Sequence, residues 1–65
     1  MSPLALRIRP ARRKKGWSQA ELARRAGIRQ ATVSKYERAA LTSVDLRMLD
    51  KLARALGVSP RSLIG

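Results

Sequence analysis

Sixty-five residues make room for one small domain, which buries only about 60% of its unfolded surface and is stable by a narrow margin. With no Phe, one Trp and one Tyr, the core must come from Leu, Ile, Val and Ala, which suits closely packed helices and disfavours a large substrate pocket. The chain has neither Cys nor His, which excludes disulfides, thiolate or imidazole metal sites and a His base, and its net charge of +11 points to a polyanion.

Residues 1–16 form the first segment. Ser2-Pro3 is a helix start, serine as cap and proline at the first helical position. Leu4, Ile8 and Ala11 follow at helical spacing, and Gly16 ends the segment. Pro10 falls inside it, where a proline loses a hydrogen bond and clashes with the preceding turn at a cost of about 3 kcal/mol. Either the helix kinks there, or residues 3–8 are a loose first turn and the helix begins near Arg9. The kinked helix is the expectation. Arg7, Arg9, Arg12, Arg13, Lys14 and Lys15 have no acid nearby in sequence, and read as either a solvated face or phosphate contacts. Trp17 precedes a helix cap, the position of a hydrophobic staple, and is expected in core packing rather than base stacking.

Ser18 to Arg38 reads as two short helices joined by a tight turn. Ser18 and Glu21 make an S-x-x-E capping box, and Leu22, Ala23 and Ala26 give the first helix its apolar face. Ala23 is small enough for another helix to cross close by. Gly27 stands where the chain must turn, since glycine enters the left-handed conformation without steric cost. Beyond it Ile28, Val33 and Tyr36 are the inward positions, and Arg29, Gln30, Ala31, Ser34, Lys35 and Arg38 lie on other faces. The pattern is a helix-turn-helix. Glu37 would repel DNA and is expected to pair with a nearby arginine.

Leu41 to Val44 is a linker with capping residues: Thr42 with Asp45 opens the next helix, unless Asp45 is itself the N-cap. That helix runs to Leu56, with Leu46, Leu49, Ala53 and Leu56 as a buried stripe, Leu52 beside it, and Gly57 as its stop. Ser59-Pro60 opens a last short helix ending at Gly65. Leu63 and Ile64 are adjacent there, and both cannot enter one small core, so at least one is expected on the surface, as a homodimer contact.

The run from Ser18-Gln19-Ala20-Glu21-Leu22-Ala23 through Gly27-Ile28 to Thr32-Val33-Ser34-Lys35-Tyr36-Glu37-Arg38 resembles the Xre/Cro-type helix-turn-helix domain of phage repressors and bacterial regulators. The likeness continues into Leu52-Ala53-Arg54-Ala55-Leu56-Gly57-Val58-Ser59 and covers nearly the whole chain. It departs from the family at Pro10, at Arg29 in place of a Ser or Thr cap, and at Ala39-Ala40, where a glycine is usual. The resemblance implies an all-α, compact five-helix fold of the lambda-repressor kind, one domain over 1–65. It also implies sequence-specific binding of double-stranded DNA by a transcriptional regulator, expected to be a repressor working as a homodimer in the cytoplasm, on the nucleoid.

In this reading the second helix of the motif enters the major groove, with Arg29, Gln30, Ala31, Ser34 and Lys35 as base contacts. Gln30 suits an adenine edge, Arg29 a guanine or a phosphate, and Ala31 a thymine methyl. Gln19, which the family uses to donate to a phosphate and to brace the recognition helix, joins Thr32, Arg38, Thr42, Ser43 and Arg12 as phosphate contacts. The other reading is an antitoxin-like or protein-interaction module directed at a partner protein. A basic amphipathic membrane binder is a third, although no apolar run approaches the roughly 18 residues of a membrane helix. The four acids have no paired-carboxylate spacing, no nucleophile has a positioned base and there is no glycine-rich phosphate loop, so neither catalysis nor a cofactor is expected.

Overall fold

Four α-helices succeed one another along the chain in a computed structural model that describes residues 7–38 and 45–64. They are α1 (Ile8–Lys14), α2 (Gln19–Ala26), α3 (Gln30–Glu37) and α4 (Leu46–Leu56), followed by a single 3₁₀ turn over Pro60–Leu63. That short turn stands where a fifth helix was expected, and no strand occurs among the described residues.

Local chemistry sets most boundaries. The Ser18 hydroxyl accepts from the Glu21 backbone N–H at 3.0 Å, capping α2. Its reciprocal partner is spent elsewhere, because the Glu21 carboxylate takes Arg24 and Arg25. Asp45 is the N-cap of α4, accepting from the N–H groups of Arg47 at 2.9 Å and Met48 at 3.4 Å. Gly27, at φ 70°, turns the chain out of α2 in the left-handed region, and the Ile28 N–H then bonds back to the Ala23 carbonyl at 2.9 Å. Gly57 ends α4 in the same way.

The kinked first helix is corrected. The α1 helix begins at Ile8, with Arg7 as its N-cap, so Pro10 lies in the first turn, where its missing N–H costs nothing. The expected start at Ser2-Pro3, with Leu4, lies outside the described residues, as do Thr42, Ser43, the Ala39-Ala40 junction and Gly65.

Every element contributes to one core: Ile8 from α1, Leu22 and Ala23 from α2, Val33 and Tyr36 from α3, Leu49, Leu52, Ala53 and Leu56 from α4, and Leu63 from the last turn. Trp17, Ala26 and Ile28 pack against its edge. Each of the buried leucines contributes about 1.5–3 kcal/mol, a large share of what a domain this small retains. Leu46 does not belong to the stripe assigned to it, being 75% exposed. As the first residue of α4 its side chain leans back off the helix end, and burial starts one turn later at Leu49.

Candidate nucleic-acid interface

The α2 and α3 helices form the helix-turn-helix, and α3 is held by its inner face. Val33 has no exposed surface and Tyr36 very little. The Tyr36 hydroxyl accepts the Asp45 N–H at 3.3 Å, tying α3 to the cap of α4. This anchoring turns Arg29, Gln30, Ala31 and Lys35 outward, all exposed, with Ser34 and Thr32 half-buried beside them and Arg38 exposed just past the helix end. The five residues expected at the bases are thus spread along the outer part of one helix, from its N-cap at Arg29 to Lys35 in its last turn. Among the described residues none of their side chains takes part in a hydrogen bond. Arg29 is the N-cap of α3 but contributes no side-chain cap, so the first N–H groups of the helix carry no side-chain acceptor.

Behind this face Glu37 is the fastening point. Its side chain has no exposed surface, and its two carboxylate oxygens accept from Arg12 Nε at 2.6 Å, Arg12 Nη2 at 3.1 Å, Gln19 Nε2 at 3.1 Å and Arg9 Nε at 3.2 Å. Three helices meet at one carboxylate. Burial by itself pushes the Glu37 carboxyl up, but the hydrogen bonds from Arg12, Gln19 and Arg9 outweigh it and hold the group below the usual carboxylate range. The expected arginine partner of Glu37 is therefore Arg12, with Arg9 adding a second guanidinium.

Arg12 needs correction as a phosphate contact. Its third nitrogen, Nη1, donates to the Trp17 carbonyl at 2.7 Å, and its side chain is only 12% exposed. Every guanidinium nitrogen is committed inside the protein. Gln19 likewise has its amide nitrogen on Glu37, where it braces the end of α3. The resemblance implied that Gln19 braces the recognition helix, though not that it does so on Glu37; the part of Arg9 was missed, although Arg9 and Arg12, three apart on one helix, are spaced to grip one carboxylate. Sequence reasoning also missed the stacking of the Arg25 guanidinium 4.4 Å from the centre of the Trp17 ring.

The electrostatics of the outward face follow from where the acids are. Glu37 is covered, Glu21 pairs with Arg24 and Arg25, Asp50 pairs with Arg54, and Asp45 caps α4. Among the described residues no acidic side chain pairs with Arg29, Lys35 or Arg38, and the charges this face carries are cationic. Among the described residues no cluster of metal-ligating side chains occurs, and no helix is long and apolar enough to cross a membrane.

The helix-turn-helix family model matches residues 8–63, which takes in every described helix. A hypothetical transcription factor of Neisseria meningitidis is 43% identical over 61 residues, 94% of this chain and 57% of the relative. The transcriptional regulator SinR of Bacillus subtilis is 36% identical over 58 residues, 89% of this chain and 52% of the relative. This chain therefore spans little more than half the length of these curated relatives. A crystal structure of SinR in complex with DNA superposes with a TM-score of 0.80, covering 86% of this chain and 89% of that one. The restriction-modification controller protein C.AhdI of Aeromonas hydrophila, 40% identical, superposes with a TM-score of 0.81, covering 89% of this chain and 83% of that one.

Proposed function

This chain belongs to the helix-turn-helix family of the Xre/Cro type, and from that premise we propose that it binds double-stranded DNA in a sequence-specific manner as a transcriptional regulator of the repressing kind. The observation that carries this is the outward side of α3. Arg29, Gln30, Ala31, Ser34 and Lys35 are unengaged and unopposed by acid, on a helix whose other side is locked into the core and onto Glu37. Such a helix enters the major groove as a rigid body. Gln30 then reads an adenine edge, Arg29 and Lys35 reach guanines or phosphates, and Ala31 lies against a thymine methyl. Thr32 and Arg38 hold the backbone. Thr42 and Ser43 keep that role as part of the proposal, Gln19 joins them through its second amide hydrogen while bracing α3 on Glu37, and Arg12 serves by fixing the pose of α3. The relatives carry the names of transcription regulators, which supports the same reading; the proposed place of action is the nucleoid, in the cytoplasm.

The operating unit in this reading is a homodimer on a pseudo-palindrome, its two copies of α3 about 34–36 Å apart. Of the two residues expected to join the copies, Leu63 is buried and only Ile64, 42% exposed, offers its surface.

The decisive experiment selects bound sequences from a random DNA pool and then measures Gln30→Ala on the winning site. The expected loss is about 1–3 kcal/mol there, with random-sequence binding nearly unchanged. Equal losses on both, or no enriched sequence, would overturn the assignment.

A further inference from the structure

An open groove of about 380 Å³ runs between α1 and the last turn, lined by Pro10, Ala11, Val58 and Leu63, with Arg7, Lys14 and Ser62 supplying its polar edge. Arg7, Pro10, Ala11 and Lys14 fall three and four residues apart, on one side of α1. Arg9 and Arg12 leave another side of the same helix for Glu37. The groove thus shares α1 with the fastening of α3 but includes none of the base-reading residues.

We propose that this groove is a docking site for an acidic amphipathic helix of a partner protein. The partner's apolar residues rest on Pro10, Ala11 and Val58, above the buried Leu63, and its carboxylates meet Arg7 and Lys14. Charge complementarity argues for this occupant. Neither Arg7 nor Lys14 pairs with an acidic side chain among the described residues, and all four acids of the chain are committed away from the groove. A second copy of this chain, itself at +11, would set cations against this cationic edge, so the groove selects against self-occupancy. Its volume is at the small end for ligand sites, suited to the i, i+3/i+4 anchors of one helix face. Occupancy leaves the outer side of α3 free, so the partner is carried on the protein while α3 stays on DNA.

The test uses the whole chain, isotope-labelled, with two probe peptides of about 16 residues and identical composition. One has leucines at i, i+3, i+4 and i+7 among glutamates; the other scrambles the order to abolish the apolar face. The amphipathic peptide is expected to shift the amide resonances of Ala11, Lys14, Val58, Ser62 and Leu63, leaving those of Gln30 and Lys35 in place. The scrambled peptide is expected to bind at least about tenfold more weakly, and Lys14→Glu to weaken the amphipathic peptide by about tenfold. Ala11→Glu, which places a carboxylate on the apolar floor, is the second variant; its helix content, measured by circular dichroism, shows whether it folds. Equal binding of both peptides would reduce the groove to bulk charge attraction and overturn the proposal. Shifts at Ala11 and Lys14, on the α1 side of the groove away from the Ile64 contact, on raising protein concentration without peptide would overturn it in favour of a second copy.

Discussion

Glu37 gathers donors that lie 18 to 28 residues away in sequence, and the spacing of Arg9 and Arg12 on their helix does not say which acid they grip. What the sequence does show is an acid at the end of a helix otherwise suited to a polyanion, which is reason enough to expect a cationic partner. Which cation it is depends on how α1 crosses α3, a tertiary fact. The energetic consequence is direct. Glu37→Gln keeps the shape but turns an amide N–H₂ or a weaker acceptor toward two guanidiniums, and should cost about 2–3 kcal/mol in urea denaturation. A loss below about 0.5 kcal/mol would mean the node is decorative. The pH dependence has a definite sign. Because the folded state holds this carboxyl below its ordinary value of 4.5, its contribution is whole above that value and is lost as pH falls through the depressed one. Stability of the native protein should therefore decline on acidification below about pH 4.5, and Glu37→Gln should flatten that decline. Glu21 shifts in the same direction through its hydrogen bonds to Arg24 and Arg25, but it is exposed and adds little.

At the level of helices the caps were legible and the ends of the apolar stripes were not. Ser18, Gly27, Asp45 and Gly57 act within a few residues of themselves, so their chemistry is local and spacing reveals it. Pro10 was harder, because a proline is costly in a helix interior and harmless in a first turn, and only the start of α1 distinguishes the two. Leu46 obeys the helical period yet stays exposed, since periodicity gives the direction of a side chain and says nothing of whether anything lies there. Arg29 is the informative exception among the caps. Arg29→Ser would supply the acceptor that α3 lacks, stabilising the fold by about 1 kcal/mol. For a domain of this size that raises the melting temperature by about 4–8 °C. The same change removes a cation from the DNA face, so DNA affinity should fall while the melting temperature rises. A fall in both would show that the arginine supports the fold.

Over the whole molecule the charge is divided unequally. Among the described residues the ion pairs use Arg9, Arg12, Arg24, Arg25 and Arg54, leaving Arg29, Lys35 and Arg38 among the cations without an acidic partner there. DNA affinity should fall steeply with salt, its logarithmic slope near −0.9 for each phosphate neutralised, and Arg38→Ala should make the slope shallower by about that amount. An unchanged slope would remove Arg38 from the interface. Dimerisation belongs to this scale too. Ile64→Asp should lower cooperative occupancy of a two-half-site DNA and leave single half-site affinity largely intact; unchanged sedimentation and footprinting would rule out the Ile64 contact. Val33, Tyr36 and Glu37 bear the structural load of α3, while Arg29, Gln30, Ala31, Ser34 and Lys35 bear none of the side-chain bonding described for it. The cap position at Arg29 aside, substitutions among those five are nearly independent of stability. Descendants of a duplicated gene are then free to drift to new operators one residue at a time, every intermediate still folded, so that regulatory circuits diverge while the scaffold is inherited unchanged.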